Sequence, residues 1–226
     1  MITISISSFN QQQYLPQAIE SALNQTVSCE ILVIDDGSTD NSLEIARKYP
    51  VKVISQVNKG LSSARNTGLM NATGDIFLPL DADDILLPNC AQNIKDVFVR
   101  KLYENKQVDV VGLSFKEFGI RNTEIILMPN PTFEDFKTGN RLGYCSAIRT
   151  SVLKEVGGYS PRMTWGWEDL HLWINLLSKG KTIVTIPEVL WLYRTKENSM
   201  YTESIKHSEE LTNQLKKDFP NFYETN

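Results

Sequence analysis

Asp81, Asp83 and Asp84 crowd into four positions of "FLPLDADDILLP", between two apolar runs. Neighbouring anions repel, and carboxylates beside an apolar core are costly unless a cation compensates them. Asp81-Ala82-Asp83 offers oxygen ligands suited to Mg2+ or Mn2+, ions that one or two carboxylates usually share with substrate phosphates. Such a site leaves room for a nucleotide diphosphate. A plainer reading stays open: Asp83 and Asp84 cap a helix beginning near Ile85 and are solvated. Further charged groups stand at other breaks in the apolar pattern: Asp35 and Asp36 in "EILVIDDGSTD", Arg65 in "SSARN", Glu168 and Asp169 in "WGWEDL", and Lys196 in "YRTKENS". With two histidines in the chain, no Ser/His or Cys/His nucleophilic arrangement stands out.

The elements that must carry these groups are legible as periodicities. "ITISIS" alternates strictly and reads as a strand over Ile2 to Ser7. Leu15, Ile19, Ala22 and Leu23 then fall at helical spacing, with Pro16 where a first turn tolerates it. "CEILVID" is a continuous apolar run suited to a sheet covered on both faces. "DDGSTDNS" breaks it and offers N-caps for a helix through Glu44 to Tyr49. "VKVIS" is strand, "NKGLSSARNTGLMNATG" helix, and "DIFLPL" a strand that delivers the acidic cluster at its C-terminal end. Strand and helix alternating in this way predict an α/β parallel sheet, in which ligands bind beyond the carboxyl ends of the strands. Asp35, Asp36, Asp81 and Asp83 all fall at such ends.

The second half is less regular. "VDVVGLSFKEF", "TEIILM" and "KTIVTIP" read as strands, Ser151 to Val156 and "WGWEDLHLWINLLSKG" as helices, and Ser204 to Phe219 as a polar helix with a thin apolar stripe of Ile205, Leu211, Leu215 and Phe219. Residues 130–141 read as a loop with one short helix.

Composition narrows the partners. The chain has 226 residues, 41% hydrophobic and 22% charged, with a formal net charge of −4. That is ordinary for a globular protein and carries no basic footprint for nucleic acid. An acidic protein that handles an anion must concentrate its cations locally. The N-terminus lacks the basic and apolar regions of a signal peptide, and no apolar run reaches the ~18 residues of a membrane span. Three widely spaced cysteines, Cys29, Cys90 and Cys145, fit reduced thiols in a cytoplasmic protein.

Read in order, "SISSFNQQQYLPQAIESALNQT", "EILVIDDGSTDNS", "NKGLSSARNTGL", "GDIFLPLDADDILLP", "GGY" and "WGWEDLHLW" closely resemble the family 2 glycosyltransferases, inverting enzymes of the GT-A fold that use nucleotide-activated sugars. The resemblance covers about Ile2 to Ser199. It implies a mixed, mostly parallel central sheet and a loop of Ser7, Ser8, Phe9 and Asn10 approaching the nucleoside. It places Asp36 on the base, uracil in most relatives, and Arg65 on the base or diphosphate. Asp81 falls at the ribose, and Asp83 on the Mn2+ or Mg2+ that bridges the phosphates. Asp169 becomes the base, with Glu168 beside it as acceptor ligand or orienting group. Gly158, in "GGY", and Trp165 and Trp167, in "WGWEDL", fall on the acceptor side. The chemistry is coherent: a cation neutralises charge on the departing diphosphate while a carboxylate deprotonates the attacking hydroxyl.

Two departures stand out. Relatives often carry His where this chain has Lys196, and a protonated ammonium cannot ligate a metal, though it can contact phosphate. "SSFN" also replaces the common Pro-Thr-Tyr-Asn. The expectation is one GT-A domain over residues 1–226, with a nucleotide-binding half (1–87), an acceptor-binding half (88–200) and a helical tail (201–226). Its activity would be a single, non-processive transfer from a UDP-sugar to a glycan or lipid-linked glycan in polysaccharide biosynthesis, in the cytoplasm or at the inner face of the membrane. Rival classes are a non-catalytic glycan- or nucleotide-binding scaffold and a sugar-phosphate nucleotidylyltransferase, whose Gly-rich, Arg-bearing N-terminal signature is missing. A haloacid-dehalogenase-type phosphatase also places an aspartate after an apolar strand. It wants Thr or Val where this chain has Ile85, and its motif nearer the start of the fold.

Overall fold

The computed structural model describes residues 1–197 and 199–223. Its N-terminal half follows the alternating pattern. Strands β1 (Ile2–Ser8), β2 (Cys29–Asp35), β3 (Lys52–Ser55) and β4 (Ile76–Asp81) are parallel neighbours in the order β3-β2-β1-β4. Helices α1 (Leu15–Leu23), α2 (Ser42–Ala46) and α3 (Leu61–Asn71) make the crossovers. Register places Ser8 beside Asp35 and Ser7 beside Asp81, so these strand ends open on one edge.

Both faces of β1 are covered. Ile2, Ile4 and Ile6 enter one apolar cluster with Leu15, Ile19, Leu78 and Leu80. Thr3 and Ser5, which strict alternation would turn to water, are buried because Gly74 and Glu30 close over Thr3 and α3 packs against Ser5 at Gly68. A Cβ on Gly68 would lie 2.0 Å from the Ser5 hydroxyl. The close approach explains why α3 shows little apolar periodicity.

The second half completes the same sheet. β8 (Ser146–Arg149) runs antiparallel to β4 and to β6 (Val110–Gly119), and β9 (Ile183–Thr195) runs parallel to β6. The two-residue strand β5 (Ile85–Leu86) lies antiparallel on β9, and β7 (Glu124–Ile125) on β6. Helices α4 (Cys90–Tyr103), α5 (Thr150–Glu155) and α6 (Glu168–Ser178) cover the faces, followed by α7 (Met200–Lys206), α8 (Ser208–Asp218) and α9 (Pro220–Tyr223). A second apolar cluster gathers Phe77, Leu153, Trp173, Leu211 and Phe222. This is the expected α/β fold with a mixed central sheet.

Several expectations need correction. The helix placed near Ile85 is strand β5, and α4 begins at Cys90, so Asp83 and Asp84 cap no helix there. The strand read as ending at Pro187 continues to Thr195. Register slips between Leu113 and Phe115, so Pro187 and Glu188 bulge out exposed and the missing proline N–H costs no ladder bond. The single tail helix is two, broken at His207, which leaves Ile205 exposed while Leu211 and Leu215 stay buried. Only two residues of "TEIILM" are strand.

Candidate active site

β4 ends in a tight turn: the Asp84 amide donates to the Asp81 carbonyl at 3.1 Å, and the Ala82 amide to the Ser7 carbonyl at 3.1 Å. Each carboxylate of the turn faces a different partner. Asp81 pairs with Arg65 at 2.8 Å. Asp84 is buried, accepting from the Tyr144 hydroxyl at 2.5 Å and the Arg194 amide at 2.7 Å. Asp83 pairs with the Lys196 ammonium at 2.5 Å. Burial pushes the Asp81 carboxyl up to about 6 although Arg65 pulls it down, and burial together with Asp83 holds Asp84 far above the ordinary carboxylate range.

A cavity of about 600 Å3 opens on this turn. Its wall includes Ser7, Ser8, Phe9, Asp36, Asp81, Asp83, Trp165 and Lys196 of the expected site. The Ser7 and Ser8 hydroxyls are buried without a protein partner among the described residues. Asp36 accepts from Gln56 Nε2 (2.7 Å), the Lys59 amide (3.0 Å) and the Gly60 amide (2.8 Å). A carboxylate offers about four acceptor positions, so one remains for a ligand donor. Asp36→Ala would orphan three donors, at about 1–3 kcal/mol each before relaxation. We expect it to lower stability by roughly 2–4 kcal/mol in urea denaturation. Asp35 points elsewhere, accepting from Ser55 at 3.1 Å.

The other expected residues lie off this wall. Asn10 has φ 52° and its Oδ1 accepts the Thr39 amide at 2.8 Å, so it shapes the loop. Arg65 was expected on the base or diphosphate. The structure buries its guanidinium between Asp81 and Glu168, against the rings of Tyr144 and Tyr159 at 4.8 and 5.4 Å. It therefore joins the acidic turn to the start of α6. Trp167 caps α6 in a left-handed conformation and packs on the second apolar cluster.

Gly158 is a backbone position. Its φ is +73°, and an added Cβ would lie 2.3 Å from Asn66 Oδ1. Asn66 clamps both the amide and the carbonyl of Tyr159 at 2.8 Å. Gly158→Ala should cost at least ~1 kcal/mol in thermal melts, leaving ligand affinity to a folded protein unchanged.

Asp169 follows Glu168 in the first turn of α6 and is held by Asn140 Nδ2 at 2.8 Å. Burial and the adjacent Glu168 push its carboxyl up to about 7. Trp165 is stacked on His207, with centroids 4.0 Å apart and planes 3° from parallel. The cavity wall is completed by Met200, Thr202, Glu203 and Lys206 of α7. Sequence reasoning missed these because α7 carries no pattern beyond a short polar helix. His171, buried against Asp218, is structural.

The donor set suits a divalent ion poorly. Of the turn's carboxylates, Asp84 accepts two hydrogen bonds in the interior, Asp81 is paired with Arg65, and Asp83 carries an ammonium that a second cation would have to displace against like-charge repulsion. Among the described residues no group of three His, Cys, Asp or Glu side chains is placed to hold a metal.

A parallel half-sheet that delivers carboxylates to a cavity, closed by an antiparallel extension, defines the GT-A class of glycosyltransferase folds. TarS of S. aureus, solved with UDP-GlcNAc, superposes with a TM-score of 0.78 at 19% identity over 99% of this chain and 68% of that one. The mannosyltransferase PcManGT of Pyrobaculum calidifontis, solved with GDP-Man and Mn2+, superposes with a TM-score of 0.70 at 17% identity over 93% of this chain and 61% of that one. The profile of glycosyl transferase family 2 matches residues 3–157, and the chain belongs to that family. EpsE of Bacillus subtilis (strain 168), a relative named as a glycosyltransferase, is 29% identical over 221 residues, 92% of this chain and 77% of its own. Several other relatives are longer, and the chain spans less than half of their length, down to 16%.

Proposed function

We propose that the chain moves one sugar, with inversion, from a UDP-sugar to a hydroxyl of a glycan or lipid-linked glycan in polysaccharide biosynthesis. The observation that carries this reading is the Arg65 bridge. It ties Asp81, at the donor cavity, to Glu168, beside the proposed base, across 87 positions of sequence. Donor-side and acceptor-side carboxylates thus share one rigid link.

In the proposed step the acceptor oxygen attacks the anomeric carbon from the face opposite the diphosphate. The bond from that carbon to the diphosphate oxygen breaks with its electron pair, and the hydroxyl proton passes to Asp169. A carboxylate whose pKa lies near 7 is suited to accept it. Ser7, Ser8, Phe9 and Asp36 would hold the nucleoside, and Asp81 the ribose. Trp165 would offer an aromatic face to the sugar. Lys196 is the cation nearest Asp83. No described helix is long and apolar enough to cross a membrane. We place the reaction in the cytoplasm, at the inner membrane face when the acceptor is lipid-linked.

The test is donor hydrolysis across UDP-, GDP- and dTDP-sugars, with the anomer of the product read by NMR. UDP release with inverted configuration is expected. Release from GDP-sugars alone would overturn the donor assignment, and retention would overturn the single displacement. UDP binding without turnover of any donor would favour a non-catalytic nucleotide-binding role.

A further inference from the structure

The acidic turn has a protein cation built onto it. Lys196 follows the last residue of β9, and its ammonium sits 2.5 Å from Asp83 Oδ2 and 5.1 Å from the centroid of the Tyr14 ring. Its placement is fixed by Arg194, two residues earlier. The Arg194 amide donates to Asp84 at 2.7 Å, its Nε to the Asp83 carbonyl at 2.8 Å, and its Nη2 to Gln17 at 2.7 Å. The same guanidinium lies between the rings of Tyr14 and Phe118, at 4.4 and 4.3 Å. β5 pairs with β9 immediately before, Ile85 opposite Leu192. The end of β9 is thereby fastened to the turn at several points, and Lys196 is held over Asp83 while both line the cavity.

We propose that Lys196 is the resident counter-cation of the donor diphosphate, so that UDP binds this chain without a divalent ion. The inference rests on the donor class proposed above and adds the source of the positive charge. An ammonium has three donors. Asp83 takes one of them, leaving N–H groups for phosphate oxygens. Its charge can neutralise a leaving diphosphate as a metal would, and its tether removes the need to recruit an ion. Asp83 then orients the lysine instead of ligating a metal.

Calorimetric titration of the full chain with UDP and with uridine, in EDTA and in Mn2+, tests this at low salt. Native protein is expected to bind UDP with affinities in the two buffers within about threefold. Lys196→Ala should weaken UDP in EDTA about tenfold or more, the worth of a charge-assisted hydrogen bond, while uridine affinity stays unchanged. Lys196→Arg should retain most of the UDP affinity in EDTA, showing that charge is what matters. Lys196→His should make UDP binding depend on Mn2+, since neutral imidazole ligates it. Native protein that binds UDP only with Mn2+ would overturn the inference and leave the donor class standing. So would equal UDP affinity of native protein and Lys196→Ala in EDTA. Failure to bind UDP in either buffer would remove the donor class, and this inference with it.

Discussion

Asp169→Asn should bind UDP as tightly as the native chain and transfer sugar about 10²–10⁴ times more slowly. The amide keeps the carboxylate's shape and can still accept from the Leu170 amide, the 2.7 Å contact that holds one oxygen. It cannot take a proton from an attacking hydroxyl. Donor affinity is expected to be spared because Asp169 lies off the donor cavity wall. With the native carboxyl near 7, transfer should rise with pH through that value and level off above it, since the ionised form is the base. Stability runs the other way. The folded carboxyl titrates above its unfolded value of 3.8, so the folded state binds more protons between 3.8 and about 7. Asp169 therefore costs stability as pH rises through that window, and the cost is complete above about 7. Asp169→Asn should melt no lower than native protein at pH 8, by roughly 1 kcal/mol or more in its favour. Rates read from single turnovers at pH 6 and 8, beside melts at the same pH, check both halves. Near-native transfer by the variant would move the base elsewhere, first to Glu168.

The N-terminal half of this site was legible because its strands are bounded apolar runs that stop beside the residues lining the cavity. "CEILVID" ends at Asp35, next to Asp36, and "DIFLPL" at Leu80, next to Asp81. Parallel pairing then brings the ends to one edge without further information. The C-terminal half was not legible in this way. β8 has four residues, β5 two, and β9 crosses a proline on a bulge, so none presents a strand-length alternation. Lys196 was marked by its place in the motif, but its pairing with Asp83 depends on how far β9 extends. The surroundings of Arg65 were not legible either. "SSARN" offers a basic residue for the base or diphosphate, and nothing local announces two tyrosines and two carboxylates closing around it from Asp81, Tyr144, Tyr159 and Glu168.

That enclosure makes the loss of Arg65 costly to the fold. Its side chain is 1% exposed and is the shared counter-ion of Asp81 and Glu168, which are 24% and 7% exposed. Removing one partner of a buried ion pair leaves charge uncompensated and typically costs about 3–5 kcal/mol. Arg65→Met, which keeps the apolar stem, should fall in that range in urea denaturation at pH 8. The penalty should shrink at pH 5. Burial already holds the Asp81 carboxyl up to about 6 with Arg65 present, and without the guanidinium it would rise further. The folded variant would then bind protons that the unfolded chain has lost, so its stability falls as pH climbs from 5 to 8. Arg65→Lys should fall between the two, because a point charge cannot span two carboxylates as a planar fork does. Arg65→Met combined with Asp81→Asn and Glu168→Gln should recover most of the loss, since no buried charge is then left unpaired. That triple variant separates folding from function: it should fold, yet lack the link between donor turn and α6 and transfer no sugar. A pH-independent loss below ~1 kcal/mol for Arg65→Met would show that water, and not Arg65, compensates these carboxylates.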